Sequence, residues 1–135
     1  MRRLLYISTS RTLTSPLELG RILRVSRSRN AAVGITGLLV AGGHRFLQVL
    51  EGPAGAVLQT FARIREDPRH YAAVVLVDQP ITERNFAKWS MGYQPGAPLT
   101  GEGKVADDIA ALVAPIADPV LRGYFGGFAE RQAAA

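Results

Sequence analysis

The sequence predicts an α/β sandwich, a mixed sheet covered on one face by two helices, and three observations carry that expectation. Strand-like and helix-like stretches follow one another as strand, helix, strand, strand, helix, strand, strand through the first 95 residues. The second and third strands are separated by little more than Gly42 and Gly43, and glycines tolerate the positive φ angles of a tight hairpin turn. The composition, 47% apolar and 20% charged over 135 residues, is that of one soluble globular domain with a real core and an appended tail.

Each element has its own signal. Leu4 to Thr9, LLYIST, is apolar and β-prone, with Leu4, Tyr6 and Ser8 on one face and Leu5 and Ile7 on the other. Ser15, Pro16 and Glu18 form a capping box with proline at the first helical position, so a helix is expected from there to about Ser28. Leu19, Ile22, Leu23 and Ser26 make its inner stripe. Asn30 reads as the residue after the last turn, where asparagine takes a left-handed conformation or caps the helix. Gly34 to Val40 and Arg45 to Glu51 are the hairpin strands. Gly52 and Pro53 then break the chain, and Val57, Leu58, Phe61 and Ile64 recur at helical spacing up to Glu66, before Asp67 and Pro68.

The unbroken apolar run Ala72 to Val77 reads as a strand buried on both faces, ended by Pro80. Ile81 to Ala87 is a connection, and Lys88 to Tyr93 a short strand with Trp89, Met91 and Tyr93 on one face. After Gln94 the composition becomes that of a linker, PGAPLTGEGK, followed by apolar spacing for helices at 105–113 and 120–128. The boundaries expected are a domain over residues 1–95 and a linker with a helical extension over 96–135. Right-handed crossovers put the first two helices on the same face of the sheet, which is a ferredoxin-like βαββαββ sandwich. The extension is expected to cover the other face and to support self-association into a homo-oligomer.

Several function classes are excluded or weakened. There is no cysteine, so disulfides and thiolate metal sites are out, and His44 and His70 are too scattered for a metal site or a triad. No P-loop or dinucleotide fingerprint is present, and Ser8 and Ser10 have no nearby His–Asp arrangement, so the enzymatic readings are weakened. No apolar run approaches the ~18 residues of a membrane span, and the N-terminal stretch has no signal-peptide pattern, which makes the cytoplasm the expected location. Residues 1–30 hold seven arginines against the single acid Glu18. That asymmetry offers an alternative function, a protein- or polyanion-binding module, but Arg21, Arg24 and Arg27 sit opposite the apolar stripe as a solvated face does, without interleaved aromatics, so nucleic acid is disfavoured.

One residue does not suit its setting. Gln48 is an amide within the apolar run Phe46, Leu47, Val49, Leu50, and left unpaired in a core it costs about 1–3 kcal/mol. Strand pleat lets Tyr6 and Gln48 face the same side of the sheet, as neighbours if the register permits, in a groove under the two helices. Taken singly, each has an ordinary explanation: an amide satisfied by backbone at a strand edge, and a core tyrosine with its hydroxyl at the rim.

Taken together, the tyrosine of LLYIS, the asparagine of SRNAAVGITGLL, the strand FLQVLEG, the helix end RIREDPRH and the segment RNFAKWSM resemble a BLUF domain, the flavin-binding blue-light sensor, over about residues 3–93. The strand and helix order agrees with that family's fold. The resemblance implies a noncovalently held FAD, or FMN in its place, between the two helices. By position, Asn30 matches the asparagine that binds the flavin's carbonyl and imide edge, and Gln48 the photoactive glutamine between flavin and tyrosine. Tyr6 matches the tyrosine that gives an electron to the excited flavin. Arg63 and Asp67 match residues lining the pyrimidine side of the ring, and Trp89 and Met91 the signalling pair of the last strand. Ile22, Ile35 and Phe46 are apolar candidates for packing on the ring. The implied function is a short-type photoreceptor: light drives Tyr6-to-flavin electron and proton transfer and a Gln48 hydrogen-bond switch, and the red-shifted state signals through the last strand and the tail to a downstream protein partner.

Overall fold

In the computed structural model the chain runs β1 (Arg2–Ser10), α1 (Pro16–Val33), β2 (Thr36–Gly42), β3 (Arg45–Gly52), α2 (Ala54–Arg65), β4 (His70–Pro80), β5 (Gly92–Pro95) and α3 (Pro119–Ala134). The structure describes residues 1–11, 16–42, 44–87, 92–95, 114, 116 and 118–134. The expected Ser15 cap, the turn residue Gly43, the signalling pair Trp89 and Met91, and the expected helix at 105–113 lie outside the described residues.

The strands form one sheet in the order β4, β1, β3, β2, β5. β5 runs parallel to β2, and the remaining neighbours are antiparallel. This is the ferredoxin-like arrangement with a fifth strand added beside β2. Alternation along the strands sorts side chains cleanly. Leu4 and Tyr6 of β1, Leu39 of β2 and Leu50 of β3 share a core with Leu19 and Leu23 of α1 and Val57 and Phe61 of α2. Leu5, Val40, Leu47 and Val49 point the other way, onto Leu121, Phe125 and Phe128 of α3. Those three residues recur at helical spacing, and Phe125 meets Phe86 with ring centroids 6.2 Å apart. α3 thus covers the second face of the sheet. It is longer than its apolar pattern indicated, and it is capped by Asp118, whose Oδ1 accepts the Val120 N–H at 2.9 Å.

A buried ion pair ties that layer to the sheet. Glu51, fully buried, accepts from Arg3 Nε at 2.8 Å and from Nη2 at 2.7 Å. It also accepts the backbone N–H groups of Asn85 at 2.9 Å and Phe86 at 2.8 Å. Arg3 Nη1 lies 3.8 Å from Asp118 at the start of α3. A buried carboxylate is tolerated only when its charge and lone pairs are met, and here both are.

Two expectations need correction. β4 is an edge strand and is not buried on both faces: Val74 and Val75 are 53% and 42% exposed. An apolar run reports composition and says nothing about a strand's place in the sheet. α1 also continues through Asn30 to Val33. The left-handed residue is Gly34, at φ 74°, and the Ile35 N–H returns to the Asn30 carbonyl at 2.9 Å. That is a Schellman closure, in which glycine bears the positive φ that Asn30 was expected to adopt.

Candidate functional site

A cavity of about 440 Å3 opens between α1, α2 and the sheet. Its floor is Tyr6, Ser8 and Ser10 of β1, Phe46, Gln48 and Leu50 of β3, and Leu39 of β2. These residues alternate along their strands, so the pleat delivers all of them to one face. α1 supplies Ile22, Val25, Ser26, Arg29 and Asn30, α2 supplies Thr60, Arg63 and Ile64, and the turn after α2 supplies Asp67 to His70.

The floor's centre is a hydrogen bond. Tyr6 and Gln48 stand directly opposite each other in the β1–β3 ladder, and the buried Tyr6 hydroxyl donates to Gln48 Oε1. Because the phenol donates, Gln48 Oε1 is the accepting end and its amide nitrogen is the donor end. The Tyr6 ring rests against Phe61 of α2, centroids 5.1 Å apart and planes tilted by 47°. Burial pushes the Tyr6 phenol well above its ordinary value, and the negative charge of Asp67 adds to the effect. Tyr6 is therefore a neutral donor throughout the physiological range.

β4 is irregular where it borders this floor. Its pairing with β1 shifts between Leu5 and Tyr6 and again between Ile7 and Thr9, so Ala72 and Ala73 both lie opposite Ser8. Ala72 takes φ 54° there. Bulges of this kind occur beside sites, where they re-aim side chains.

In the turn after α2 Asp67 accepts from the Arg69 backbone N–H and from Arg69 Nε, each at 2.9 Å. The hydrogen bond from Arg69 holds the Asp67 carboxyl below the usual carboxylate range. His70 Nε2 lies 2.5 Å from the Ile64 carbonyl. Ser8 Oγ and His70 Nδ1 are buried with no hydrogen-bond partner among the described residues. Arg21, Arg29 and Arg63 also border the cavity.

The cavity therefore brings together Tyr6, Gln48, Asn30, Arg63, Asp67, Ile22 and Phe46. Ile35 is not among its lining residues; it is buried in the core beneath the helices, since it lies just beyond the α1 turn. Sequence reasoning passed over Ser8, Thr60, Ile64 and His70 as site residues. Ser8 had one readable signal, its place two residues beyond Tyr6 on the same strand face.

A cavity of this size with mostly apolar walls and a few convergent polar groups is built for a small organic ligand. The class of protein is thus a ferredoxin-like ligand-binding module with a buried tyrosine–glutamine pair at its centre. Residues 1–92 match the family model for BLUF, sensors of blue-light using FAD, and the chain belongs to that family. It is 40% identical over 89 residues to the photoactivated adenylate cyclase subunit beta of Euglena longa, which covers 65% of this chain and 10% of that protein. The chain thus spans about a tenth of the length of that relative. Among solved structures, the BLUF protein BlrB in its dark state superposes with a TM-score of 0.73 at 30% identity, covering 96% of each chain. A bacterial light-regulated adenylyl cyclase superposes with a TM-score of 0.68 at 35% identity, covering 70% of this chain and 28% of the other.

The residues present fit a flavin. Apolar side chains from α1, α2 and the floor suit a flat ring system, and the cavity carries the polar groups Asn30, Gln48 and Arg63 for its edge. Among the described residues, no helix is long and apolar enough to cross a membrane.

Proposed function

We propose that this protein is a blue-light photoreceptor that holds FAD noncovalently in the cavity and uses Tyr6 and Gln48 as its switch. The observation that carries the reading is the buried Tyr6–Gln48 hydrogen bond in the cavity floor. A bound flavin supplies absorption of blue light and an excited state that takes up an electron. Tyr6 is positioned to give that electron, and its neutral, buried phenol brings a proton along the same bond. Gln48 can receive that proton at Oε1 and release one from its amide nitrogen. Its two ends differ, so rotation or tautomerisation leaves it presenting a different hydrogen bond to the ligand after charge recombines.

Asn30 and Arg63, with Asp67, hold the polar edge of the ring, while Ile22 and Phe46 pack against its faces. Arg21, Arg29 and Arg63 all border the cavity, and their positive charges favour a phosphorylated flavin over riboflavin. This supports FAD while leaving FMN as a usable substitute. The chain acts as a sensor and not as an enzyme. Residues 1–95 form the sensor, and the change at Gln48 leaves through the last strand, with Trp89 and Met91, to the 96–135 extension and a partner protein.

The test is an absorption spectrum of the purified protein with FAD before and after blue light. A yellow protein whose flavin band moves to the red and recovers in the dark is expected; a protein that stays colourless with excess FAD overturns the reading. Tyr6→Phe and Gln48→Leu should each keep the colour and abolish the shift.

A further inference from the structure

The two edges of the sheet differ. β5, at one end, has four residues and ends at Pro95, and a short edge with a proline does not invite another strand. β4, at the other end, has eleven, and among the described residues its one strand neighbour is β1. Residues 71–77, YAAVVLV, carry no charge, and Tyr71, Val74 and Val75 are 47%, 53% and 42% exposed. A long apolar edge of this kind is a template for a further strand.

The pairing of β4 with β1 determines which strand fits. Residues directly opposite in a ladder point to one face. Asp78 opposite Leu4, Val75 opposite Tyr6 and His70 opposite Ser10 therefore lie on the side of α1 and α2, as does Ala73, which packs against that core. Val77 opposite Leu5, Val74 opposite Ile7 and Tyr71 opposite Thr9 lie on the α3 side. The alternation is broken twice, at Leu76, the extra residue between Val75 and Val77, and at Ala72, where φ is 54°. Both breaks stand two positions from Val74. Read outwards from Val74, the order of faces and breaks is thus the same in both directions. A regular strand laid along this edge loses register at each break, because one extra residue turns every later side chain to the other face. A second β4, antiparallel about a two-fold axis at Val74, meets break with break and face with face. Charge agrees with this choice. The axis brings the end of β4 where Arg11 lies 5.1 Å from the Tyr71 ring centroid to the end of the second copy that carries Asp78, whose side chain stays 34% exposed beside Arg2.

We propose that β4 is a self-pairing edge: two copies of this chain join antiparallel about Val74 into one continuous sheet, with both pairs of α1 and α2 on the same side. Val74 then faces Val74 of the second copy, and Val75 faces Ala73. The contact is small beside the about 1,200–2,000 Å2 of a stable interface, so a dissociation constant of roughly 10–100 µM is expected. The inference stands independently of the flavin reading.

Sedimentation velocity of the full chain from roughly 5 to 500 µM, a range set around that constant, measures the dimer. Val74→Lys should weaken it at least about tenfold, because the lysine meets its own symmetry mate. Leu58→Lys, at a comparably exposed apolar position on α2, should leave it unchanged. The chain has no cysteine, so single cysteines report the register. Val74→Cys stands on the axis and should give a disulfide-linked dimer on mild oxidation, since directly opposite Cα atoms are about 4.5–5.5 Å apart. Tyr71→Cys lies about 20 Å from its mate along the strand and should not. A chain that stays monomeric throughout the range overturns the proposal. So does a dimer that Val74→Lys leaves intact, or a Tyr71→Cys protein that crosslinks as readily as Val74→Cys, the mark of random collision or another register. Should Val74→Lys fail to fold, the two cysteine variants, which are uncharged, decide between these outcomes.

Discussion

Replacing Glu51 by alanine tests how firmly the sheet is tied to the segment and helix beyond it. The carboxylate is fully buried and accepts two bonds from Arg3 and one each from the backbone of Asn85 and Phe86. Its loss leaves the Arg3 guanidinium, itself 5% exposed, without its close counter-ion; breaking a buried pair in this way costs about 3–5 kcal/mol. The two orphaned N–H groups carry a penalty of about 1–3 kcal/mol each. These penalties overlap, because water entering the space left by the side chain serves both, so a total of about 4 kcal/mol is expected. With a urea slope of about 2 kcal/mol/M, the unfolding midpoint falls by about 2 M. Glu51→Gln keeps an acceptor for the N–H groups and loses only the charge, so about half that shift is expected. A midpoint lowered by less than about 0.5 M in Glu51→Ala would refute the assignment of this pair as a structural tie. The double change Arg3→Met with Glu51→Leu provides the control, since replacing both charges by apolar groups of similar size is often close to neutral.

Other perturbations probe different parts of the molecule. Gly52→Ala would place a Cβ 2.7 Å from the Gly34 carbonyl oxygen; a backbone atom cannot swing aside, so a loss of about 1–3 kcal/mol in urea unfolding is expected, and an unchanged midpoint would contradict the close approach. Burial raises the Tyr6 phenol, so the native state keeps a proton that the unfolded chain releases above about pH 10, and stability falls as pH rises beyond that point. Tyr6→Phe should remove this component, and parallel melting curves for both proteins from pH 9 to 11 would refute it. The Asp67 carboxyl is lowered chiefly by Arg69, so its contribution is intact above the ordinary carboxylate range and is lost as pH falls through the native value. The stability difference between wild type and Asp67→Asn should therefore shrink on acidification; a difference independent of pH would sink the assignment.

Much of the architecture was legible because its signals are local. The period-two alternation of LLYIST and FLQVL and the helical spacing of Leu19 with Leu23 and of Val57 with Phe61 identify both the element and its buried face. The same alternation put Tyr6 and Gln48 on one side of the sheet, and the ladder sets them opposite each other. What stayed hidden depends on distant parts of the chain. The exposure of Val74 and Val75 follows from strand order, which an apolar run does not encode. Asn30 and Gly34 both carry helix-ending signals, and the choice between them is made by the Ile35 N–H returning to Asn30. Ser8 and His70 look ordinary in one dimension; only the fold brings them to the wall of one cavity.

The Schellman closure at Gly34 has a bearing on how this region tolerates change in length. Asn30, whose carbonyl receives the closing bond, also lines the cavity, so the residue that faces the ligand and the residue that ends the helix are counted from the same origin. An α-helix advances by about 100° per residue. Deleting or inserting one residue between Asn30 and Gly34 must therefore break the closure or turn the asparagine about a quarter of the way round the helix, away from the cavity. The four-step spacing of these two positions is a phase, and chimeras joined within it should keep that phase, whereas substitutions at the exposed Arg24 leave it unchanged.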